Sequence, residues 1–243
     1  MPDLDRTPVA FLSGLSAALM LLATAAHGVV IDGFRDGKST TRAGGVAQAT
    51  VGRKALTESG LTDVIGGGRR VRVEATALDY PEADAISAII VPESGQLVYD
   101  SSAGADGSVT LIYDRDGAGL SNDLSAARGI VVKISAADVA AIPCAVTLTI
   151  TDHLGRSVSA EQTVTESGRS LVKFFFRSLG EIDLRAVRFI SVGIDPGAAG
   201  DMTIQWIRTF GRWHSRSEIT AERRGQPKTV PHQGTSKKAP GAP

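Results

Sequence analysis

An antiparallel jelly-roll β-sandwich of roughly ten to twelve strands is the fold this sequence predicts, and three observations predict it. Runs that alternate apolar and polar residues recur about every ten to fifteen residues from Val29 onward, each bounded by Gly, Asp, Ser or Pro. The first of them, Val29 to Asp36 (VVIDGFRD), is answered far along the chain by Met202 to Phe210 (MTIQWIRTF), so the first and last strands are expected side by side. Helix-period patterning is scarce: only Arg53 to Ser59 and Ser135 to Ala141 suggest short helical pieces, with Ser135 as a cap. Many short strands and almost no helix favour a sandwich over any fold with βαβ units.

The runs fall near 29–35, 46–52, 69–78, 85–91, 96–101, 108–114, 129–135, 145–151, 157–164, 170–177, 187–194 and 202–210. Period-two alternation places Val71, Val73 and Ala75 on a core face, and likewise Val109, Leu111 and Tyr113. The same argument selects Ile130, Val132 and Ile134; Val172, Phe174 and Phe176; and Ile190, Val192 and Ile194. Arg70, Arg72 and Glu74, or Lys173 and Arg177, then point to water, the one-dry-face pattern of antiparallel sheets. Asp152 to Arg156 (DHLGR) reads as a hairpin turn in which Gly155 takes a positive φ. In the last run, Trp206 shares an alternation face with Met202, Ile204 and Phe210, which predicts a core Trp.

Hydrophobic content of 42% excludes wholesale disorder, and 27 glycines without a three-residue period exclude collagen. Residues 9–26 form an apolar run flanked by Arg6 and ending in small residues, with Ala23, Thr24 and Ala25 as an A-x-A cleavage signature. Residues 1–26 are therefore expected to be a signal peptide, or alternatively an uncleaved anchor, and the protein secreted, periplasmic or at the cell surface. Residues 27–211 make the sandwich domain, and 212–243 a disordered basic tail without apolar runs. The net charge of zero hides a split: 18 Lys+Arg against 22 Asp+Glu in 27–211, net −4, and 7 against 2 in the tail, net +5. The tail's charge suits weak contact with an anionic membrane or polymer, and specific nucleic-acid binding is not expected. Cys144 is the single cysteine, so no internal disulfide forms; in phase with Val146, Leu148 and Ile150, it is expected to be buried and inert.

Three segments together carry a resemblance. IDGFRDG at Ile31 to Gly37 resembles the opening of galactose-binding-like jelly-roll domains, including carbohydrate-binding modules. VIGGGRRVRVEA (64–75), LIYDRDGAGLSNDLS (111–125) and VTLTITDHLGRS (146–157) resemble uncharacterised exported bacterial proteins that end in a PEP-CTERM-type sorting tail, which does not stand at the end of this chain. DLRAVRFISVGID (183–195), leading into MTIQWIRTF, is similar to the last two strands of such domains. Such strand-and-turn signatures imply architecture rather than activity. The carbohydrate-binding relatives often carry an acidic residue where Gln205 stands here, at a structural calcium position.

Asp114, Asp116, Asn122 and Asp123 lie in an oxygen-rich glycine loop, DRDGAGLSND, and are the candidate calcium ligands, although Ser125 holds the twelfth position where an EF-hand has Glu. Plain turn chemistry is the competing reading of that loop. Gly66 to Gly68 lead into a strand with no GK[ST] behind them, so no phosphate loop is expected. Sugars offer an apolar face and a hydroxyl rim, and Tyr80, Tyr99 and Phe175 with Arg70 and Arg72 are the candidate contacts. With no G-x-S-x-G and few histidines, catalytic residues are not identified. The function expected is a non-catalytic exported binding module for polysaccharide or another envelope component. The alternatives are a structural surface or matrix protein acting through protein contacts and, third, a carbohydrate-active enzyme.

Overall fold

The computed structural model describes residues 28–37, 40–44, 52–78, 85–138 and 143–212. The proposed signal segment, the basic tail save Arg212, which ends a strand, and the 46–52 run save Gly52 lie outside these residues. Two antiparallel sheets stack face to face. One contains β1 (Val30–Asp32), β2 (Thr40–Gly44), β5 (Ala85–Val91), β6 (Gln96–Ser101), β8 (Ala127–Asp138), β11 (Ser170–Phe175) and β13 (Asp201–Arg212). Its order is β11-β8-β13-β6-β5-β2, with β1 also on β13. The other contains β3 (Arg53–Ser59), β4 (Gly68–Leu78), β7 (Ala105–Tyr113), β9 (Cys144–Asp152), β10 (Ser157–Val164) and β12 (Val187–Asp195). Its order is β10-β9-β12-β7-β4-β3. The two strands expected to be neighbours are so: Val30 pairs with Arg208 and Asp32 with Ile207.

The five triplets assigned to the core by alternation, from Val71, Val73 and Ala75 through Ile190, Val192 and Ile194, are all buried. Phe176 reaches the core from a 3-10 turn, Phe176–Ser178, that follows β11. Burial of such a side chain contributes about 1.5–3 kcal/mol, so these layers are the main driving force for closing the sandwich. Cys144 is fully buried, and burial pushes its thiol up to about 12, so the inert reading holds. Gly155 has φ 80° in the Asp152–Arg156 turn, as the DHLGR spacing requires.

The expected helical piece at 53–59 and the described part, 135–138, of the second are corrected, while 139–141 lie outside the described residues. Residues 53–59 form strand β3, paired along its length with β4, because its Lys, Leu and Glu side chains can satisfy a strand edge as well as a helix face. Ser135 lies inside β8, with its hydroxyl donating to the Thr203 carbonyl, so it caps nothing.

The opening motif IDGFRDG is a polar anchor between the sheets. Arg69 of β4 is buried, and all five of its N–H donors are used. Nη1 donates to both oxygens of Asp32 at 2.8 and 2.9 Å. Nε and Nη2 donate to Glu58 at 3.0 and 2.8 Å, and Nη2 also to the Asp36 carbonyl at 2.9 Å. Asp32 further accepts from the Tyr113 hydroxyl and the Phe34 amide, and the guanidinium stacks over the Phe34 ring at 5.6 Å. Phe34 holds φ 56°, a left-handed conformation, to enter this cage. Asp36 in turn accepts from the amides of Thr62 and Asp63 and from the Thr62 hydroxyl, tying the loop after β1 to the loop before β4.

Two predictions follow from these contacts. Arg69→Met leaves the buried Asp32 carboxylate uncompensated and should cost about 3–5 kcal/mol in urea unfolding. The double variant Asp32→Asn/Arg69→Met should cost less than the two singles added, and strict additivity would show that the groups do not couple.

The second concerns pH. Burial pushes Asp32 up to about 6, against the pull of Arg69 and of hydrogen bonds from Arg69, Phe34 and Tyr113. An unfolded Asp titrates near about 3.9, so the native state takes up this proton first. Asp32's contribution is then complete below about pH 4 and lost as pH rises through 6. Three other carboxylates run the opposite way. Thr62 and the Asp63 amide hold Asp36 below the usual range, and Ser125 does so for Asp123. Burial raises Asp152, but hydrogen bonds from Arg156 and the amides of Asp183, Arg156 and Leu154 outweigh it. Their contributions are present above about pH 4 and lost as pH falls through their lowered values. The urea midpoint should therefore rise from pH 7 to pH 5 and drop towards pH 3, with Asp32→Asn flattening the rise. A wild-type midpoint that does not rise between pH 7 and 5 would contradict the desolvated Asp32.

Candidate ligand-binding site

The outer face of the seven-stranded sheet is set by where β13 changes partners. Its residues 202–204 pair with β6 on one side, and 207–208 pair with β1 on that side, while β8 runs along the other. At the change the register against β8 shifts between Ile204 and Trp206, an inserted residue that bends the strand. Met202 and Ile204 point inward before the shift, Ile207 and Thr209 after it. Trp206 is thereby turned out of the core, and the expectation of a core Trp is corrected. Phe210 is turned out with it, half-buried, on the same face as Arg208.

The gap between β1, the turn joining β5 to β6, and this bulge is a cavity of about 350 Å³. Its walls are Val30, Gly33, Arg35, Asp63, Ser94, Gly95, Lys133, Gln205, Trp206 and Arg208. The Arg208 guanidinium lies 3.8 Å from the centroid of the Trp206 ring, and the ammonium of Lys133, its cross-strand partner, lies 5.7 Å from it. Cation–π contact of this kind contributes roughly 0.5–1 kcal/mol or more and holds both cations against the wall. Gly33 is required by packing: a Cβ there would overlap the Asp63 carboxylate, with Oδ2 at 1.8 Å. Two wall atoms, Asp63 Oδ2 and Arg208 Nε, are buried without a hydrogen-bond partner among the described residues. Such groups gain free energy when a ligand supplies the missing bond.

The face continues across the sheet. Phe175 of β11 and Phe210 of β13 meet edge-to-face over Gly129, with centroids 5.2 Å apart at 86°. A Cβ at Gly129 would come within 2.8 Å of the Phe210 ring, so glycine is what lets the two rings touch. Arg177 lies over Phe175 at 5.5 Å.

Of the residues singled out from sequence, Phe175 is 38% exposed and lies on this face. Tyr99 is corrected to a core residue: it is 1% exposed, its hydroxyl donates to the Gly107 carbonyl, and burial raises its phenol. Arg70 and Arg72 lie on the outer face of the other sheet, where Arg70 pairs with Asp114 at 2.5 Å. Tyr80 is outside the described residues. The four candidate calcium ligands do not converge. Asp114 faces Arg70, Asp123 accepts from the Ser125 amide, Asp116 is exposed, and Asn122 makes a backbone bridge to Val187. Among the described residues, no three His, Cys, Asp or Glu side chains gather at metal-holding spacing. The backbone of this loop has Arg115, Asp116, Gly117 and Gly119 all at positive φ.

Sequence reasoning missed Trp206, Arg208, Lys133, Arg35, Asp63 and Gln205. One signal was present: the apolar spacing in the last run is two at Met202–Ile204 and three at Ile204–Ile207, which a regular strand cannot keep on one face.

No family model matches the chain, and no curated protein matches it. Among solved structures, the family 11 carbohydrate-binding module of the cellulosomal cellulase Lic26A-Cel5E of Clostridium thermocellum is 14% identical, covering 79% of this chain and 99% of that one, with a TM-score of 0.40. The Clostridium thermocellum family 11 module in complex with a β-1,3-1,4-mixed-linked tetrasaccharide is 12% identical over 74% and 100%, with a TM-score of 0.35. TmCBM61 in complex with β-1,4-galactotriose is 13% identical over 65% and 87%, with a TM-score of 0.28. At these identities and scores the likeness carries no argument for function, which rests on this chain's own residues.

Proposed function

We propose that the protein is a non-catalytic, exported binding module for polysaccharide, and that the cavity at the β13 bulge is its ligand site. The observation that carries this reading is one cavity holding both an aromatic wall, Trp206, and several hydrogen-bonding side chains, among them Arg35, Asp63, Ser94 and Gln205. A sugar ring needs that combination, an apolar surface under its C–H face and polar groups at its hydroxyl rim. Its volume is within the range of small-ligand sites, and the neighbouring strand surface with Phe175 and Phe210 extends it for a longer chain. Among the described residues the lining has one carboxylate, Asp63, whereas glycosidic hydrolysis takes two that converge on the bond, which favours binding over turnover. Export rests on the apolar 9–26 run and its A-x-A end.

The test is a calorimetric screen of the purified full chain against β-glucans, galactans, polyuronates and sulfated galactans. Saturable binding to a glycan is expected, and Trp206→Ala should weaken it about tenfold or more, roughly 1.4 kcal/mol, with the melting temperature little changed. Wild-type affinity in Trp206→Ala would remove the cavity from consideration. Self-association without glycan binding would replace the reading with a structural role.

A further inference from the structure

The charge at this cavity points to the chemistry of its ligand, an inference that rests on the saccharide reading above. Among the described residues, three cations, Arg35, Lys133 and Arg208, line it against one carboxylate, Asp63. None of the three forms an ion pair with a described residue. Arg208 keeps its buried Nε without a hydrogen-bond partner, and its guanidinium is held on the Trp206 ring rather than by a carboxylate. This excess stands out because residues 27–211 carry 18 Lys+Arg against 22 Asp+Glu, net −4. Positive charge gathered in a cleft of an otherwise acidic domain attracts an anion and strengthens its hydrogen bonds.

The surroundings also give a direction. Across the sheet from Arg208 lie Val131 and then Lys173, each the cross-strand partner of the last, and beyond them Arg177 over Phe175. Along β13 towards its start the sign reverses. There a second depression is lined by Asp100, Asp138 and Asp201, with Asp138 and Asp201 directly paired. We propose that the cavity takes an anionic glycan, one whose sugars carry carboxylate or sulfate groups, and that the glycan runs across β13, β8 and β11 rather than along β13.

The experiment is titration of the full chain with polygalacturonate, a carrageenan and a neutral mixed-linked β-glucan at low and high ionic strength. An anionic polymer should bind roughly tenfold or more tighter than the neutral one, and added salt should weaken it. Preference for polygalacturonate identifies carboxylate as the group recognised, and preference for carrageenan identifies sulfate. Arg208→Met keeps most of the stem on Trp206 and should lose roughly tenfold or more of that affinity. Exposed Lys173→Gln, which does not threaten folding, should lose less but measurably, whereas Asp100→Asn should change nothing. Equal, salt-insensitive binding of the neutral glucan, still abolished by Trp206→Ala, would overturn the anionic ligand and leave the saccharide site standing. Unchanged affinity in Lys173→Gln with a loss in Asp100→Asn would overturn the direction. Failure of all three polymers to bind would overturn the saccharide reading itself.

Discussion

The structure depends on one buried guanidinium. Taking Arg69 out of water costs several kcal/mol, and the cost is offset only because every donor it has is matched by an acceptor at 2.8–3.0 Å. Those acceptors come from two separate stretches: Asp32 at the end of β1 with Asp36 in the loop that follows, and Glu58 of β3. Tyr113 of β7 closes the cage from the far side. Apolar packing would bring the two sheets together in many sliding arrangements of similar energy, whereas five directed bonds to one side chain are satisfied in one. The cluster therefore fixes where the first strand docks. It also explains the IDGFRDG motif residue by residue: Asp32 binds Arg69, Gly33 lies beside Asp63, Phe34 stacks on the guanidinium, and Asp36 organises the loop before β4.

The same anchor builds half of the candidate site. Asp32 is followed directly by Gly33 and Arg35, both cavity walls, and Asp36 holds the amide of Asp63, a third. The other half is the bulge in β13. Once Arg69 has set β1 beside residues 207–208, β13 must pass from one neighbour to another within a few residues, and the inserted residue absorbs the mismatch. Anchor and bulge are thus one geometric problem solved at two ends. The cavity is the space left between the two neighbours that share one edge of β13.

This is also why the fold was legible in the sequence while most of the site was not. Alternation is a local property, and where strands are regular it assigned faces correctly across β4, β7, β8, β9 and β12. The strand at 53–59 was misread because a lone edge strand has one neighbour and a polar surface on both faces, which weakens the period-two signal. Trp206 was misread by extending the alternation through a point where it fails by one residue, and a one-residue error reverses every later side chain. Asp63 and Arg35 lie in loops with no period at all; their convergence with Trp206 depends on the Arg69 contacts, which couple residues 37 apart in sequence. Phe175 was found because its strand is regular and its neighbours Phe174 and Phe176 had already claimed the inner face. Tyr99 was lost for the opposite reason, since an aromatic at a strand position says nothing about its face until its neighbours are assigned.

The two outer faces of the sandwich differ in a way that singles out the seven-stranded sheet. On the other sheet, polar groups satisfy one another: Thr149 with Ser159 and Thr151 with Ser157, both at 2.7 Å, Arg53 with Glu74, and Arg70 with Asp114. A ligand there would break bonds already made and exchange them for others of similar strength, so little net free energy is available. Arg70 and Arg72 each keep an Nε without a partner on that face, but their cross-strand neighbours are Thr57 and Ile112, and Ala55 and Thr110, which supply neither an aromatic wall nor a carboxylate. On the seven-stranded sheet the cations around Trp206 rest on a ring, a weaker partner than an anion, and a cavity gives access to them. Binding there adds bonds that the free protein does not make. What sets the seven-stranded face apart is that its partnerless atoms, Asp63 Oδ2 and Arg208 Nε, line one cavity with an aromatic wall, and Arg208, stacked on Trp206 with an unused Nε, is the residue at which the gain from a ligand would be concentrated.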